Sequence, residues 1–349
     1  MSPWDVIYNF FPYIGTVISG ALSTVLAGWA VYVIMALIGI IGILGFAISA
    51  NLAMVWGERR IVARIQVRPG PNRVGPFGLL QPLADALKVL TKEDIVPSKA
   101  DKWMHFLGPT LCIIPAVLAW AVIPFNDGAI LTDLNIGVLY ILAVSSLGLV
   151  GVFMAGWGSN NKYSLLAAMR TIAQVVSYEI PMVLSVLGVV AIVGSLSMID
   201  IVKAQSIPFI VLQPLGFLVY LIAATAEINR SPFDTMEAES ELIGGYHTEY
   251  SGMRQAMFYI AEYINLLVVS SIVVTVFLGG WRGPLLPPYI WFVIKLSCLF
   301  FFFVWLRGTL PRFRIDQVMA IAWKFLVPVA ILNIFLTGIG ILVWQALGR

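Results

Sequence analysis

Residues 31–56 read VYVIMALIGIIGILGFAISANLAMVW, and this stretch decides the fold of the chain. It contains no charged residue, and no charge occurs anywhere between Asp5 and Glu58. A transmembrane helix needs about 20 consecutive, mostly apolar residues. The stretch therefore predicts at least one helix that crosses a lipid bilayer.

The composition extends this prediction to the whole chain. Of its 349 residues, 60% are hydrophobic and only 11% are charged, whereas soluble domains have about 25% charged residues. The chain is therefore predicted to be an all-α polytopic membrane protein. We expect one transmembrane domain over residues 1–349 with about eight transmembrane helices, at about 31–56, 103–125, 135–157, 168–194, 208–227, 256–280, 287–306 and 321–346. The segment near 6–24 is interpreted as an extension or an interfacial helix, with an extra crossing as the alternative.

Lysine and arginine predict the orientation, because they are enriched in cytoplasmic connections. Most of the basic residues lie in the odd-numbered connections, and the even-numbered ones hold only Lys203 and Arg282. Odd connections are therefore expected in the cytoplasm and both termini on the outer side.

The first cytoplasmic connection, residues 57–102, is basic and contains a short amphipathic helix predicted at about 78–90. Its leucines recur at helical spacing, at Leu80, Leu83, Leu87 and Leu90. A helix of this length is too short to cross the membrane, so it should lie along the interface. Its role is either ordinary loop packing or a rim around an opening that faces the lipid.

The chain has little capacity for redox groups or metals. Cys112 and Cys298 cannot supply the four thiolates of an iron–sulfur cluster. His105 and His247 both lie outside the middle of a span, which argues against a bis-histidine haem in the membrane. No phosphate-binding glycine motif occurs, and the net charge of +3 gives no indication of nucleic-acid binding.

Acidic residues are concentrated in the predicted cytoplasmic connection at 227–255. It holds a third of the 18 acidic residues, namely Glu227, Asp234, Glu237, Glu239, Glu241 and Glu249. A solvated linker would show the same pattern, but the apolar residues within it favour a partly buried cluster whose protons are shared. His247, beside these acids, is expected to titrate near neutral pH.

Three further charged residues lie six or more positions inside predicted spans: Glu179, Glu262 and Lys295. A charge at the centre of a bilayer costs about 2.5–3.5 kcal/mol, so it is retained for a reason. The two glutamates can load and release protons, and the alternative is static ion pairing between helices, for example of Lys295 with an acid.

Five stretches closely resemble the NADH dehydrogenase subunit 1 family, whose bacterial members are the H subunits of proton-pumping NADH–quinone oxidoreductase, respiratory complex I. They are ERRIVARIQVRPGPNRVGPFGLLQPLADALK (58–88), GWGSNNKYSLLAAMRTIAQVVSYE (156–179), AEINRSPFDTMEAESELIGGYHTEYSGMR (226–254), AEY (261–263) and LPRFRIDQ (310–317).

The resemblance implies a membrane subunit whose cytoplasmic loops help to form a quinone chamber. It places Arg59 and Arg68 at that chamber, and we assign Phe233 of the acidic loop to it as well. The acids and their basic neighbours would couple the chamber to proton movement. That expected relay set is Glu179, Glu227, Asp234, Glu237, Glu239, Glu241, His247, Glu249, Glu262 and Lys295.

The resemblance also implies the partners and the compartment. Quinone would be the substrate, and FMN and iron–sulfur clusters would lie in partner subunits, with no cofactor on this chain. The expected partners are the quinone-pocket and iron–sulfur subunits of the peripheral arm, small membrane subunits and the lipid bilayer of a bacterial inner membrane.

One departure from the family pattern affects the relay. Many members carry a glutamate in the third span, whereas residues 145–157 here contain no acid. A relay through this helix is therefore absent or runs through water. Three alternatives remain open: the membrane subunit of an energy-converting hydrogenase, a stand-alone ion transporter and a purely structural anchor.

Overall fold

A computed structural model of the chain describes residues 10–24, 26–236 and 239–347, with only the backbone described at 239 and 240. Within these ranges the chain forms helices and loops, together with one isolated β-bridge between Asn126 and Ala129. The α-helices are α1 (Phe10–Ser23), α2 (Gly28–Ile65), α3 (Gln81–Thr91), α4 (Lys102–Leu118), α5 (Gly137–Gly158), α6 (Lys162–Val193), α7 (Met198–Ala204), α8 (Phe209–Leu212), α9 (Pro214–Glu227), α10 (Glu239–Leu242), α11 (Gly252–Val276), α12 (Pro288–Thr309), α13 (Ile315–Ile321) and α14 (Val327–Ala346).

Seven of the described helical segments are long and apolar enough to cross a membrane. They are Gly28–Ile65, Lys102–Val122, Gly137–Gly158, Lys162–Val193, Gly252–Val276, Pro288–Thr309 and Ile315–Ala346. The prediction of an all-α polytopic membrane protein is confirmed, and these segments correspond to seven of the eight predicted spans. The segment Ile315–Ala346 contains a π-helical turn at Ala322–Leu326 between α13 and α14.

The fifth predicted span, 208–227, is broken into α8 and α9. Pro214 has no backbone N–H, and Gln213 before it has a non-helical conformation. The Gln213 side chain joins this break to α14: its amide donates to the Thr337 hydroxyl at 2.6 Å and accepts from Asn333 at 2.9 Å. The 14-residue α9 is therefore shorter than a usual crossing.

The basic first connection begins on a helix. Helix α2 has 38 residues and continues to Ile65, so Arg59, Arg60 and Arg64 lie on its final turns. The predicted amphipathic helix is present as α3, and its four leucines are exposed. Helix α1, in the region predicted as an extension, has no buried residue.

The core lies around α4, α6 and α11. The apolar windows of these helices are 50%, 50% and 67% buried, compared with 6% for α2 and 22% for the last long helix. A helix that is apolar on all sides but little buried needs an apolar environment, so the outer helices present their surfaces to the bilayer or to partner helices.

Helices α4 and α5 pack closely because glycine allows their backbones to approach. A Cβ added to Gly151 would lie 2.7 Å from the Cys112 sulfur and 2.9 Å from the carbonyl oxygen of Gly108. A Cβ added to Gly148, on the same helix, would have no neighbouring atom within 4 Å.

Gly151→Ala should therefore destabilise the protein by about 1–3 kcal/mol, because one methyl group overpacks the contact between α4 and α5. Gly148→Ala is the matched control and should be neutral or slightly stabilising. The melting temperatures of the two purified variants test this difference, and equal shifts would contradict it.

Candidate functional site

A single glutamine on α6 fixes the beginning of the acidic connection. Gln174 is fully buried, and its amide nitrogen donates to the carbonyl oxygens of Ala226 and Phe233, both at 2.8 Å. Its side-chain oxygen accepts a hydrogen bond from the Thr235 hydroxyl at 2.6 Å. The segment that follows α9 is therefore held against the core and is not a solvated linker at this end.

The same segment carries an arginine into a buried cluster of charges. The Arg230 guanidinium lies 3.0 Å from Oε1 of Glu58 on α2 and 2.8 Å from Oε1 of Glu262 on α11. Arg307 of α12 also pairs with Glu58, and Arg230 stacks over the ring of Tyr263 at 4.7 Å. Two carboxylates and two guanidiniums thus neutralise each other where α2, α11, α12 and the acidic connection meet.

Burial alone would lower the pKa of Arg230, but the carboxylates of Glu262 and Glu58 reverse this effect and raise it. Arg230 therefore stays charged, and it remains so only because both acids surround it. Loss of either negative charge would leave a buried cation incompletely compensated.

Sequence reasoning missed Glu58, Arg230 and Arg307 as site residues. Glu58 and Arg307 resemble ordinary charges at the ends of spans, and Arg230 counts as one more basic residue of a connection that is predicted to be cytoplasmic. The available signal was the position of Arg230 within EINRSPF, directly after an apolar helix.

A cavity of about 100 Å³ lies between α5, α6, α9 and α11. A buried water needs about 10–15 Å³ of such volume, so the cavity can hold several. Its polar lining includes Ser145, Thr171, Glu227, Asn229, Tyr246, Glu262 and Asn265. Oε2 of Glu227 is buried and has no hydrogen-bond partner among the described residues, although the Ser145 side chain interacts with the same carboxyl group, so Oε2 is the atom that water in the cavity could bind.

Two of the predicted relay acids, Glu227 and Glu262, are therefore brought to one cavity. Glu179 is half-buried on α6 and does not line it, but its carboxylate interacts electrostatically with that of Glu227. Its neighbour Tyr178 donates a hydrogen bond to the carbonyl of Val318 at 2.8 Å, which connects α6 to α13.

Other acids of the connection have separate partners. Asp234 accepts a hydrogen bond from Arg312 at 3.1 Å, Glu241 pairs with Arg170, and Glu249 accepts one from Asn161 at 2.7 Å. Glu237 and the side chain of Glu239 lie outside the described residues. The described acids thus anchor the connection to neighbouring elements at several points.

His247 is buried in the connection, with Nε2 at 3.4 Å from the Tyr259 hydroxyl. Burial lowers its pKa to about 4, although the nearby Asp234 carboxylate acts to raise this pKa. The imidazole is therefore neutral at physiological pH, and the expectation that His247 titrates near neutral pH is wrong because the side chain is buried.

Lys295 contacts carbonyl oxygens. Its ammonium donates to those of Leu278, Gly280 and Arg282 at 2.7, 2.9 and 2.8 Å. These contacts hold the turn after α11, so they favour a structural role for Lys295 over ion pairing with an acid or proton transfer.

The three residues expected at a quinone chamber occupy different environments. Arg59 joins α2 to α3 through Asp85 at 2.5 Å, and this arginine lowers the pKa of Asp85 although partial burial acts to raise it. Arg68 is exposed and donates to Gln66 at 2.7 Å. Phe233 is buried against the rings of Tyr178 and Phe313.

No cluster of three histidine, cysteine, aspartate or glutamate side chains in the described ranges is arranged to hold a metal ion. The chemistry that this arrangement supports is proton binding and transfer by carboxylates and water.

Comparison with known proteins places the chain in a family context. The family model described as NADH dehydrogenase matches residues 37–338. A protein of Dehalococcoides mccartyi (strain CBDB1), named as the H subunit of NADH-quinone oxidoreductase, is 62% identical over 307 residues, which cover 88% of this chain and 87% of the relative.

More distant relatives carry similar names. A protein of Geobacter sulfurreducens, named as the second H subunit of NADH-quinone oxidoreductase, is 52% identical, with 82% of this chain and 90% of the relative covered. The NADH-quinone oxidoreductase H subunit of Carboxydothermus hydrogenoformans is 46% identical, with 90% and 91% covered.

Glu58→Gln should destabilise the protein by about 3–5 kcal/mol, because it leaves Arg230 and Arg307 buried with one carboxylate fewer. Asp316→Asn is the control, since it removes an acid from the exposed pair with Arg314 and should leave stability unchanged. Thermal unfolding of the purified protein measures both, and a stable Glu58→Gln variant would show that the cluster is dispensable.

The burial of His247 predicts a loss of stability in acid. Between its unfolded pKa of about 6.5 and its folded pKa of about 4, the unfolded chain binds more protons than the folded chain. The free energy of unfolding should therefore fall as the pH falls through this range, by about 3 kcal/mol at most. Across this range, the melting temperature of His247→Gln should depend less on pH than that of the wild type. The same pH dependence in both proteins would show that His247 is not the cause of the destabilisation in acid.

Proposed function

We propose that Glu227 and Glu262, the two acids of the cavity, couple quinone reduction by partner subunits to proton translocation. The chain belongs to the NADH dehydrogenase family and is a membrane subunit of NADH–quinone oxidoreductase. The chain thus acts as part of an enzyme complex. Its partners are other subunits of that complex, and we propose that they carry the FMN and the iron–sulfur clusters.

The observation that carries the proposal is the cavity shared by Glu227 and Glu262. Both carboxylates reach it, and it has room for several waters between them. One wall is formed by α5, whose residues 145–157 contain no acid. Water in the cavity would replace the missing side chain of this helix, because ordered water conducts protons between groups that do not touch.

Arg230 gives the relay a point of control. Glu262 forms an ion pair with Arg230 at 2.8 Å, which favours the charged carboxylate, so Glu262 would bind a proton more readily when this contact loosens. Arg230 lies in the connection that Gln174 holds, four residues before Asp234. A movement of this connection would therefore release Glu262 to take a proton from the cavity.

Quinone chemistry would supply the driving force. Electrons that reach a bound quinone bring negative charge to it, and that charge attracts protons and cations. We place the chamber at the cytoplasmic ends of α2 and α3, with Arg59, Arg68 and Phe233 contributed by this chain and the rest by a peripheral-arm subunit. The acids at Glu179, Asp234, Glu237, Glu239, Glu241 and Glu249, with His247, would transmit the change towards the cavity.

The membrane orientation predicted from the basic residues supports this position of the quinone chamber. Basic residues are concentrated in the odd-numbered connections, which would place the acidic connection in the cytoplasm of a bacterial cell, next to a peripheral arm. The names of the relatives favour the quinone-linked enzyme over a hydrogenase subunit or a stand-alone ion transporter.

Filling the cavity tests the proposal without removing a carboxylate. Ser145→Leu should displace water from between Glu227 and Glu262 and lower proton pumping by on the order of tenfold, within the range that one well-placed proton-transfer step contributes. Ser146→Leu is the matched control, because the neighbouring side chain does not line the cavity. Pumping and quinone reduction are measured in membranes that contain the assembled complex.

Glu227→Gln should produce the same loss by removing the proton carrier itself. Normal pumping in both Ser145→Leu and Glu227→Gln, with the complex assembled, would overturn the cavity route.

A further inference from the structure

The cytoplasmic end of α2 has two opposite faces. Successive helical residues are rotated by about 100°, so Arg60 lies about 200° from Glu58. Glu58 is buried in the ion cluster, whereas Trp56, Arg60 and Arg64 share the opposite face. Neither the ion cluster nor the cavity includes a residue of this outer face.

A compact turn builds one side of the outer face. The Trp56 indole donates to the carbonyl oxygen of Phe77 at 3.2 Å, and the Arg60 guanidinium lies between the two rings, 5.3 Å from that of Trp56 and 5.6 Å from that of Phe77. A Cβ at Gly70 would lie 3.3 Å from both Cα and Cγ of Arg60. The arginine is therefore held between two aromatic rings, with its stem packed against the turn.

Phe77 is presented outward at a conformational cost. Its φ is +54°, which is unfavourable for a bulky residue, and its side chain is nevertheless 69% exposed. A large apolar ring held in this way next to a cation is characteristic of a surface that contacts another molecule.

The cations of this face have no carboxylate partners among the described residues. Neither Arg60 nor Arg64 forms an ion pair with a described acid, and the nearby Asp85 is engaged by Arg59 at 2.5 Å. Beside them lies an exposed apolar surface that continues along α3, made of Leu79, Leu80, Leu83, Leu87 and Leu90.

We propose that this face binds an anionic phospholipid, with its phosphate on Arg60 and Arg64 and its acyl chains along the α3 leucines. The basic part of the surface matches the phosphate headgroup of such a lipid, and the apolar part matches its acyl chains. A basic side chain near an anionic membrane surface contributes about 1 kcal/mol, and arginine suits phosphate because it donates several parallel hydrogen bonds. The lipid site is separate from the cavity, so it does not depend on the proposed proton route.

Retention of lipid by the complex tests the site. The assembled complex is equilibrated with vesicles of phosphatidylcholine that contain a minor fraction of phosphatidylglycerol, repurified, and its bound lipids are quantified by mass spectrometry. The wild type should be enriched in phosphatidylglycerol. In the double variant Arg60→Gln/Arg64→Gln, binding to this site should fall about fivefold per arginine, equivalent to about 1 kcal/mol per charge.

The control is Lys99→Gln/Lys102→Gln, which removes two exposed cations from the same connection and should leave the enrichment unchanged. Equal losses in both double variants would show a general charge effect and overturn the site. Equal retention in the arginine variant and the wild type would overturn it as well.

A photoreactive benzoylphenylalanine at position 77 identifies what covers the face. An adduct with phosphatidylglycerol supports the proposal. A cross-link to another subunit of the complex would overturn it, because the face would then be a subunit interface.

Discussion

The fold depends on the neutralisation of Arg230 inside the protein. A buried cation in a medium of low dielectric is stable only when carboxylates surround it, and here these come from the end of α2 and from α11. Because Arg307 of α12 shares Glu58, three membrane helices and the acidic connection are fixed by one set of charges. Apolar packing between helices has no comparable directionality, since lipid is as apolar as the helix surfaces. The charges therefore specify which helices meet and at what height.

Much of the architecture follows from the sequence because hydrophobic length is a direct physical requirement of the bilayer. Seven spans and the amphipathic helix at α3 could be predicted on that basis. The broken fifth span could not, because hydropathy does not register the loss of one N–H at Pro214. The polar side chains that contact Gln213 at this break, Thr337 and Asn333, lie on α14, more than a hundred positions away in the sequence.

The candidate site, too, could be predicted from the sequence only in part. Acids such as Glu227 and Glu262 are conspicuous in an apolar chain, and the structure brings both to one cavity. Their cationic partner Arg230 was not conspicuous, since an arginine in a connection that is predicted to be cytoplasmic is explained equally well by the tendency of basic residues to lie on that side of the membrane. Lys295 shows the converse: a lysine within a span suggests function, but three carbonyl oxygens of a neighbouring turn account for it. Sequence indicates which residues carry charge, whereas the function of a charge depends on what it faces.

The ion cluster also explains how one residue can be both structural and functional. If Arg230 only stabilised the fold, two surrounding carboxylates would be sufficient, and an adjoining cavity would serve no purpose. Yet Glu262 contacts Arg230 and lines the cavity as well. Of the two acids that pair with Arg230, Glu262 is thus the one next to the cavity. Glu58 has Arg307 as a second cation. A proton that arrived at Glu262 would therefore weaken its hold on Arg230, while Glu58 would still pair with Arg307 and keep α2 and α12 together. In the relay that we propose, this asymmetry between the two acids would allow the acidic connection to move while α2 and α12 stay joined.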